Sequence, residues 1–88
     1  MTRHTLSLYD RYFDAVVNGV KRFVVRKNDK GYHIGDTLEL IRFFEGYGPG
    51  EDDSDEFLVK VTYILTHEDF PEGVPDGYVV LGIEKVKE

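Results

Sequence analysis

Residues 9–26, YDRYFDAVVNGVKRFVVR, contain the change of apolar period that decides the fold. Before Gly19 the apolar residues recur at the spacing i, i+3, i+4, i+7 and i+8, which is typical of one helix face. After Gly19 the period is 2, which is typical of a strand. We therefore predict a helix over Tyr9–Asn18, ended at Gly19 because glycine adopts the left-handed conformation at little cost. Its apolar face comprises Tyr9, Tyr12, Phe13, Val16 and Val17.

The strand after Gly19 carries apolar residues on one face and cations on the other. Phe23 and Val25 share the first face, and the opposite face carries Arg22, Val24 and Arg26. We expect Lys21 to lie at the corner where the chain leaves the helix. We expect Arg26 to lie further along the outward face of the strand, where its replacement by alanine should barely change stability.

Local signals predict where these elements begin and end. Residues 7–10 resemble a capping box, with Ser7 as the N-cap of the helix. Residues 28–31, 33–36 and 75–77 combine Asn, Asp, Gly and Pro, which favour tight turns.

Four other segments predict strands. A first strand contains Leu6, Leu8 and His4, and residues 57–65 alternate as in a half-buried strand. In Thr37–Phe44 the apolar parity slips, which we interpret as a β-bulge. Residues 78–83 are nearly all apolar, which predicts a strand buried on both faces. Five strands and one early helix predict an α+β fold, a small, partly open and mostly antiparallel β-barrel.

Length and composition set the class of protein. Eighty-eight residues support one domain, spanning 1–88, with a thin core. The chain has no cysteine, so disulfides and thiolate metal sites are excluded. No apolar run is long enough for a signal peptide or a membrane span. We expect a cytoplasmic monomer that needs no membrane, metal or other cofactor.

The cations are concentrated in a chain whose formal net charge is −6. Residues 1–33 carry seven Lys/Arg against three Asp/Glu, a net +4, whereas residues 34–88 carry four against fourteen, a net −10. This asymmetry predicts a local anion-binding surface, and the alternative is a strand face that is charged only for solvation. The cations concerned are Lys21, Arg22, Arg26, Lys27 and Lys30.

Lys21 and Arg26 are the main candidates for binding, because a helix-to-strand corner and the following strand can converge on one groove. Arginine supplies a planar fork for phosphate or a base edge, and lysine supplies a compact charge. Tyr32 or Tyr47 is the candidate stacking surface for a single-stranded nucleic acid.

Other candidate sites have weaker sequence support. The loop over residues 46–56 is rich in acids, but it lacks the ligand spacing and central glycine of an EF-hand. We expect a solvated hairpin loop there. His4, His33 and His67 are far apart and lack metal-ligand spacing. No phosphate-binding loop, dinucleotide fingerprint or nucleophile elbow is present, so we assign no catalytic residue.

The order of residues around the cations resembles that of a known family. Gly19-x-Lys21-x-x-Val24-x-Arg26 resembles the GxKxxExR signature of ASCH domains, which belong to the PUA-like superfamily. The fuller pattern is most similar to a small ASCH-related family of unknown function found in bacteria and phages. The matching elements are His4-x-Leu6, Tyr12-Phe13, Phe23, Arg26-Lys27-Asn28-Asp29, Gly35-Asp36-x-Leu38, Val61-Thr62-Tyr63-Ile64-Leu65 and Gly77-Tyr78-Val79-Val80-Leu81.

The resemblance implies a PUA-like pseudo-barrel with a helix beside a cleft that binds nucleic acid, chiefly RNA. It implies that Lys21 and Arg26 are binding residues in that cleft. The glutamate of the signature is Val24 here. Some ASCH relatives hydrolyse acetylated cytidine with a threonine at this position, and valine offers neither a nucleophile nor a base.

We therefore expect an RNA- or nucleotide-binding domain, and the residues favour binding over catalysis. Two alternatives stay open. One is an enzyme on RNA or modified nucleosides that pairs Lys21 with an acid such as Glu39 or Glu45. The other is an acidic protein-interaction module that uses residues 51–56.

Overall fold

A computed structural model describes residues 2–44, 48–49 and 56–86. Glu45, Tyr47 and acidic-loop residues 51–55 lie outside the described residues. The elements in chain order are β1 (Arg3–Tyr9), α1 (Asp10–Val17), β2 (Phe23–Lys27), β3 (Thr37–Phe44), β4 (Gly48–Pro49), β5 (Glu56–Thr66) and β6 (Tyr78–Lys85). The predicted early helix and five strands are confirmed, and β4 is a two-residue addition. In the described part of the chain, no helix is long and apolar enough to cross a membrane.

The strands form one mixed sheet that curves into a half-barrel. Their order is β1-β3-β5-β6-β2, and β4 pairs with β3 beside this path. The β1–β3 pair is parallel, whereas the β3–β5, β5–β6 and β6–β2 pairs are antiparallel. The sheet is therefore mostly antiparallel, and β1 and β2 are its two ends. This arrangement confirms an α+β fold with an open β pseudo-barrel.

The core lies on the concave face of the half-barrel. Alternate residues of each strand point to this face, as the two-residue period of a strand requires. In β1 the alternation is regular over seven residues, and α1 packs against β1 and β3. The best-buried strand residues are Val24, Leu38, Leu40, Val59, Val61, Val79 and Leu81.

Helix α1 matches its predicted length closely but buries less of its apolar face than predicted. Phe13 and Val16 are in the core, whereas Tyr9, Tyr12 and Val17 are about two-fifths exposed. Gly19 has φ +78°, which confirms the predicted helix end.

The predicted capping box is wrong. Ser7 belongs to β1, the N-cap position is Tyr9, and no side chain in the described part of the chain caps the helix. The strand runs directly into the helix, so Ser7 lies too far before the first turn to cap it. The N-terminal half of the helix is stabilised instead from another element, because Arg42 of β3 forms ion pairs with Asp10 and Asp14.

The β-bulge lies in β5 and not in β3, so the prediction from the Thr37–Phe44 parity is wrong. β3 keeps a continuous register with β1 over residues 37–43. The register of β5 against β6 instead shifts between Val61 and Tyr63. Beyond that shift Ile64 packs on the core and Tyr63 points outward, 61% exposed.

The burial of two strands, β6 and β2, differs from the prediction. β6 buries Val79, Leu81 and Ile83, but Tyr78 on its other face is 40% exposed, so β6 is not buried on both faces. In β2 the outward side chains are Phe23 and Val25, and Val24 is 1% exposed. Arg26 shares the inner face with Val24, so its predicted outward orientation is wrong.

Candidate functional site

A cleft of about 640 Å³ lies where the half-barrel fails to close, between β1 and β2. Its walls come from the end of β1, from α1, from Lys21 and the strand β2 that follows it, and from β3. Lys21 and Arg26 both line it, so the structure brings the two main predicted site residues together. The lining residues are Ser7, Leu8, Tyr9, Tyr12, Lys21, Phe23, Val24, Val25, Arg26 and Phe43.

Lys21 precedes β2 and contacts the backbone of Phe23, at the start of that strand, and two rings. Its Nζ donates a hydrogen bond to the carbonyl oxygen of Phe23 at 2.8 Å. The same atom lies 4.1 Å from the centroid of the Phe23 ring and 5.4 Å from that of Tyr12. Desolvation lowers the pKa of Lys21, Tyr12 acts in the opposite direction, and Arg26 lowers it further. A partly desolvated cation attracts an anion more strongly than one in bulk water.

Arg26 spans the gap between the two end strands. Its Nη2 donates to the carbonyl oxygen of Ser7, which joins β2 to β1, two strands that are not paired by backbone hydrogen bonds in the described sheet. Its buried Nε has no hydrogen-bond partner among the described residues. Arg26 therefore has a structural role, and an Arg26→Ala variant would lose both charge and this link. Our expectation from the sequence that this variant leaves stability unchanged does not fit this geometry.

Within the described residues, four aromatic rings line the cleft beside these cations. The Tyr9 ring centroid lies 5.5 Å from that of Phe43 and 6.1 Å from that of Tyr12. Tyr9, Tyr12 and Phe23 are 39–46% exposed, which is high for large rings in a chain with a thin core. Exposed rings next to cations are the surface on which nucleic-acid bases stack.

Sequence reasoning missed these rings as site residues, because Tyr9 and Tyr12 fit the apolar face of α1 equally well. The available signal was the hydroxyl group that both of these side chains carry. A tyrosine presents a polar hydroxyl that a buried helix face must satisfy, whereas Phe13 and Val16 on the same face carry no polar atom.

The other predicted cations lie outside the main cleft. Arg22 donates from Nε to the Gly19 carbonyl oxygen at 3.2 Å and lines a separate cavity of about 330 Å³ at the end of α1. Lys27 and Lys30 are exposed and line a third cavity of about 260 Å³ that adjoins Arg26.

Tyr32 is buried, so the stacking role predicted for it does not fit the structure. It is 8% exposed, and its ring centroid lies 4.7 Å from that of His4. Burial raises the pKa of Tyr32, with Arg26 opposing and Asp29 adding to this effect. Among the described residues, the aromatic rings that line the main cleft are those of Tyr9, Tyr12, Phe23 and Phe43.

No acid lies beside Lys21 among the residues that line the described cleft. Glu39 lies on β3 and pairs with Arg3 at 3.5 Å and with the Thr5 hydroxyl at 3.3 Å. His4 is bonded to Asp36, and His67 Nδ1 lies 2.7 Å from the Val74 carbonyl oxygen. Within residues 2–44, 48–49 and 56–86, no three acids, histidines or cysteines are grouped as metal ligands.

Comparison with known families assigns the chain to one of them. The sequence profile of the family described as "Domain of unknown function (DUF3850)" matches residues 3–83. The chain belongs to this family. The match spans all the cleft residues, from Ser7 to Phe43, so the DUF3850 domain includes the whole site.

Relatives of this DUF3850 chain include a phage protein. An uncharacterised 12.9 kDa protein in the GpA 3′ region of Escherichia phage P2 is 43% identical over 47 residues. The match covers 53% of this chain and 43% of the phage protein, so it spans less than half of that relative's length. It supports the predicted membership of a phage-associated family of unknown function.

A solved structure shares the fold. The crystal structure of hypothetical protein PH0355 superposes with a TM-score of 0.60 at 19% sequence identity. The superposition covers 97% of this chain and 100% of the other. At this identity the similarity concerns the fold alone.

Proposed function

We propose that this DUF3850 domain binds RNA or a nucleotide in the cleft between β1 and β2. The observation that carries the proposal is one cleft that combines two cations with four aromatic rings. A base has an apolar face that stacks on such rings, and its phosphate needs a cation nearby. We further propose that the half-barrel is a PUA-like pseudo-barrel related to ASCH domains, on the basis of the Gly19-x-Lys21 and Val24-x-Arg26 motif resemblance.

The charge distribution favours a ligand that enters the cleft over one that covers the surface. The chain carries a formal net charge of −6, so a polyanion is repelled by most of the molecule. Affinity must come from the rings and from the local cations Lys21 and Arg26. We therefore expect modest affinity that falls as salt rises.

The identity of residue 24, a valine, argues against catalysis in this cleft. It is 1% exposed, it carries no nucleophilic atom, and no acid accompanies Lys21 among the described cleft residues. Binding is therefore the function that this geometry supports best.

The Phe23→Ala variant tests the proposal most directly. The Phe23 ring is 46% exposed and in contact with Lys21, so its loss should remove stacking with little damage to the core. We expect affinity for short single-stranded RNA to fall by about 1–3 kcal/mol, the usual contribution of one stacked base. The measurement is titration of isotope-labelled protein with short RNAs, with the shifted backbone amides mapped onto the structure.

Tyr63→Ala is the matched control, because Tyr63 is an exposed strand aromatic outside the cleft. It should bind RNA like the parent. If amides around the cleft do not shift with RNA or nucleotides, or if both variants bind like the parent, the proposal is wrong. Parallel titrations with DNA of the same sequence measure whether the cleft distinguishes RNA.

A further inference from the structure

The 260 Å³ cavity continues the main cleft on the far side of Arg26. The two cavities share Ser7 and Arg26. β1 runs antiparallel to β2 across the gap, since it is parallel to β3 and three antiparallel pairings then lead to β2. The end of β1 therefore faces the start of β2 in the main cleft, whereas Leu6 and Ser7 face Arg26 and Lys27 in the smaller one. The two cavities are successive parts of one gap.

The two parts offer different chemistry. Among the residues that the structure describes, the main cleft has four rings and Lys21, whereas the smaller cavity has Arg26, Lys27 and Lys30 against one acid, Asp29. The ring in the smaller cavity is that of Tyr32, and it is buried. A cavity with three cations, one acid and no exposed ring is suited to phosphate and not to a base.

Arg26 lies at the junction with an unused donor. One of its terminal nitrogens is bonded to the Ser7 carbonyl oxygen, and its buried Nε has no partner in the described part of the chain. A buried donor without an acceptor costs free energy. A guanidinium also presents the planar fork that phosphate prefers.

We infer that the gap binds a nucleotide lengthwise, with the base among the four rings and its phosphate against Arg26, Lys27 and Lys30. This inference rests on the proposed function and adds the ligand class. The ligand is a nucleoside phosphate or an oligonucleotide, and the phosphate contributes to binding. A free nucleoside fills only half of the site.

The test compares four ligands on the intact protein: adenosine, adenosine monophosphate, the dinucleotide ApA and inorganic phosphate. The variant is Lys27→Ala/Lys30→Ala, which removes two exposed side chains. The control is Arg3→Ala/Lys60→Ala, which removes the same charge outside all three cavities. Dissociation constants are measured at several salt concentrations, and amide shifts are mapped.

We expect the phosphate-bearing nucleotides to bind the parent more tightly than adenosine does. The Lys27→Ala/Lys30→Ala variant should weaken their binding roughly three- to thirtyfold, as for two exposed ion pairs. The slope of log affinity against log salt should become shallower by about 0.7 for each phosphate that the variant no longer neutralises. Adenosine binding should not change, and the control should behave like the parent. Amides of residues 27–32 should shift only with ligands that carry phosphate.

Several results would overturn the inference and leave the proposed function standing. The first is equal affinity of the parent for adenosine and for adenosine monophosphate. The second is an equal loss of affinity for all ligands in Lys27→Ala/Lys30→Ala. The third is an equally large loss of affinity in the Arg3→Ala/Lys60→Ala control. If inorganic phosphate binds at residues 27–32 as tightly as the nucleotides do, the smaller cavity is an anion site that acts independently of the rings in the main cleft. Absence of binding by every one of these ligands would overturn the inference, whereas the proposed function is overturned only if short RNAs also fail to bind.

Discussion

Replacing Phe13 with alanine is expected to unfold a large fraction of the protein. Phe13 is 4% exposed at the centre of α1, and the Arg42 guanidinium carbon lies 4.5 Å from its ring centroid. Truncating a buried phenylalanine leaves a cavity and costs about 3–5 kcal/mol. A domain of this size has a free energy of unfolding near the low end of about 5–15 kcal/mol, so the loss takes most of it.

Chemical denaturation followed by circular dichroism measures this change. Tyr63→Ala serves as control, because that side chain is 61% exposed and should change stability little. A Phe13→Ala protein as stable to denaturant as the parent would mean that α1 does not stabilise the half-barrel. The position of α1 over one end of the cleft would then need another explanation.

The same helix shows how far sequence periodicity predicts this fold. The 3.6-residue period before Gly19 predicts the helix and its end, because both depend on local chemistry. It does not distinguish Phe13, which is buried, from Tyr12, which lines the cleft. Both positions lie on the apolar face, and only the open gap beside β1 makes one of them accessible.

Register is the second property that periodicity could not predict. A single extra residue in β5, at Thr62, moves Ile64 to the core and Tyr63 to solvent. A slip of one residue exchanges the two faces of a strand, and the pairing partner decides where the slip occurs. Gly82 lies opposite this point, and a Cβ there would lie 3.1 Å from the Thr62 hydroxyl.

The prediction that Lys21 and Arg26 line one cleft has a physical reason. Lys21 and Arg26 flank a helix-to-strand corner, and local geometry brings such residues to one cleft. Tyr32 was assigned to stacking only on its residue type, and its burial against His4 depends on strands that are distant in sequence. The contact of Arg26 with Ser7 likewise joins the two ends of the sheet, which sequence spacing does not reveal.

Removing the carboxylate of Asp36 is expected to cause a loss of stability comparable to that of Phe13→Ala. Asp36 is 2% exposed and accepts hydrogen bonds from three groups. They are His4 Nε2 at 2.9 Å, the His33 backbone N–H at 2.9 Å and the Thr2 backbone N–H at 3.2 Å. Asp36→Ala leaves buried donors without an acceptor, which should cost about 3–5 kcal/mol at neutral pH.

The pH dependence of this loss follows from the pKa of Asp36. Burial alone would raise that pKa, but the bonds from His4, His33 and Thr2 outweigh it, and the net pKa is lowered. A carboxylate with a lowered folded-state pKa stabilises the fold at all pH values above its unfolded pKa of about 3.9. This stabilisation is lost as the pH falls through the folded-state pKa.

The free energies of unfolding of the parent and of Asp36→Ala should therefore differ fully at neutral pH. The difference should begin to shrink as the pH falls below about 4. Urea denaturation at a series of pH values measures both, and Glu72→Ala, at an exposed position, is the control for removing one acid. A difference that stays constant through the acid range would mean that the Asp36 carboxylate contributes packing and neutral hydrogen bonds alone. A difference that vanishes at neutral pH would mean that the link from β1 to the start of β3 does not hold the end strand, and with it one wall of the cleft, in place.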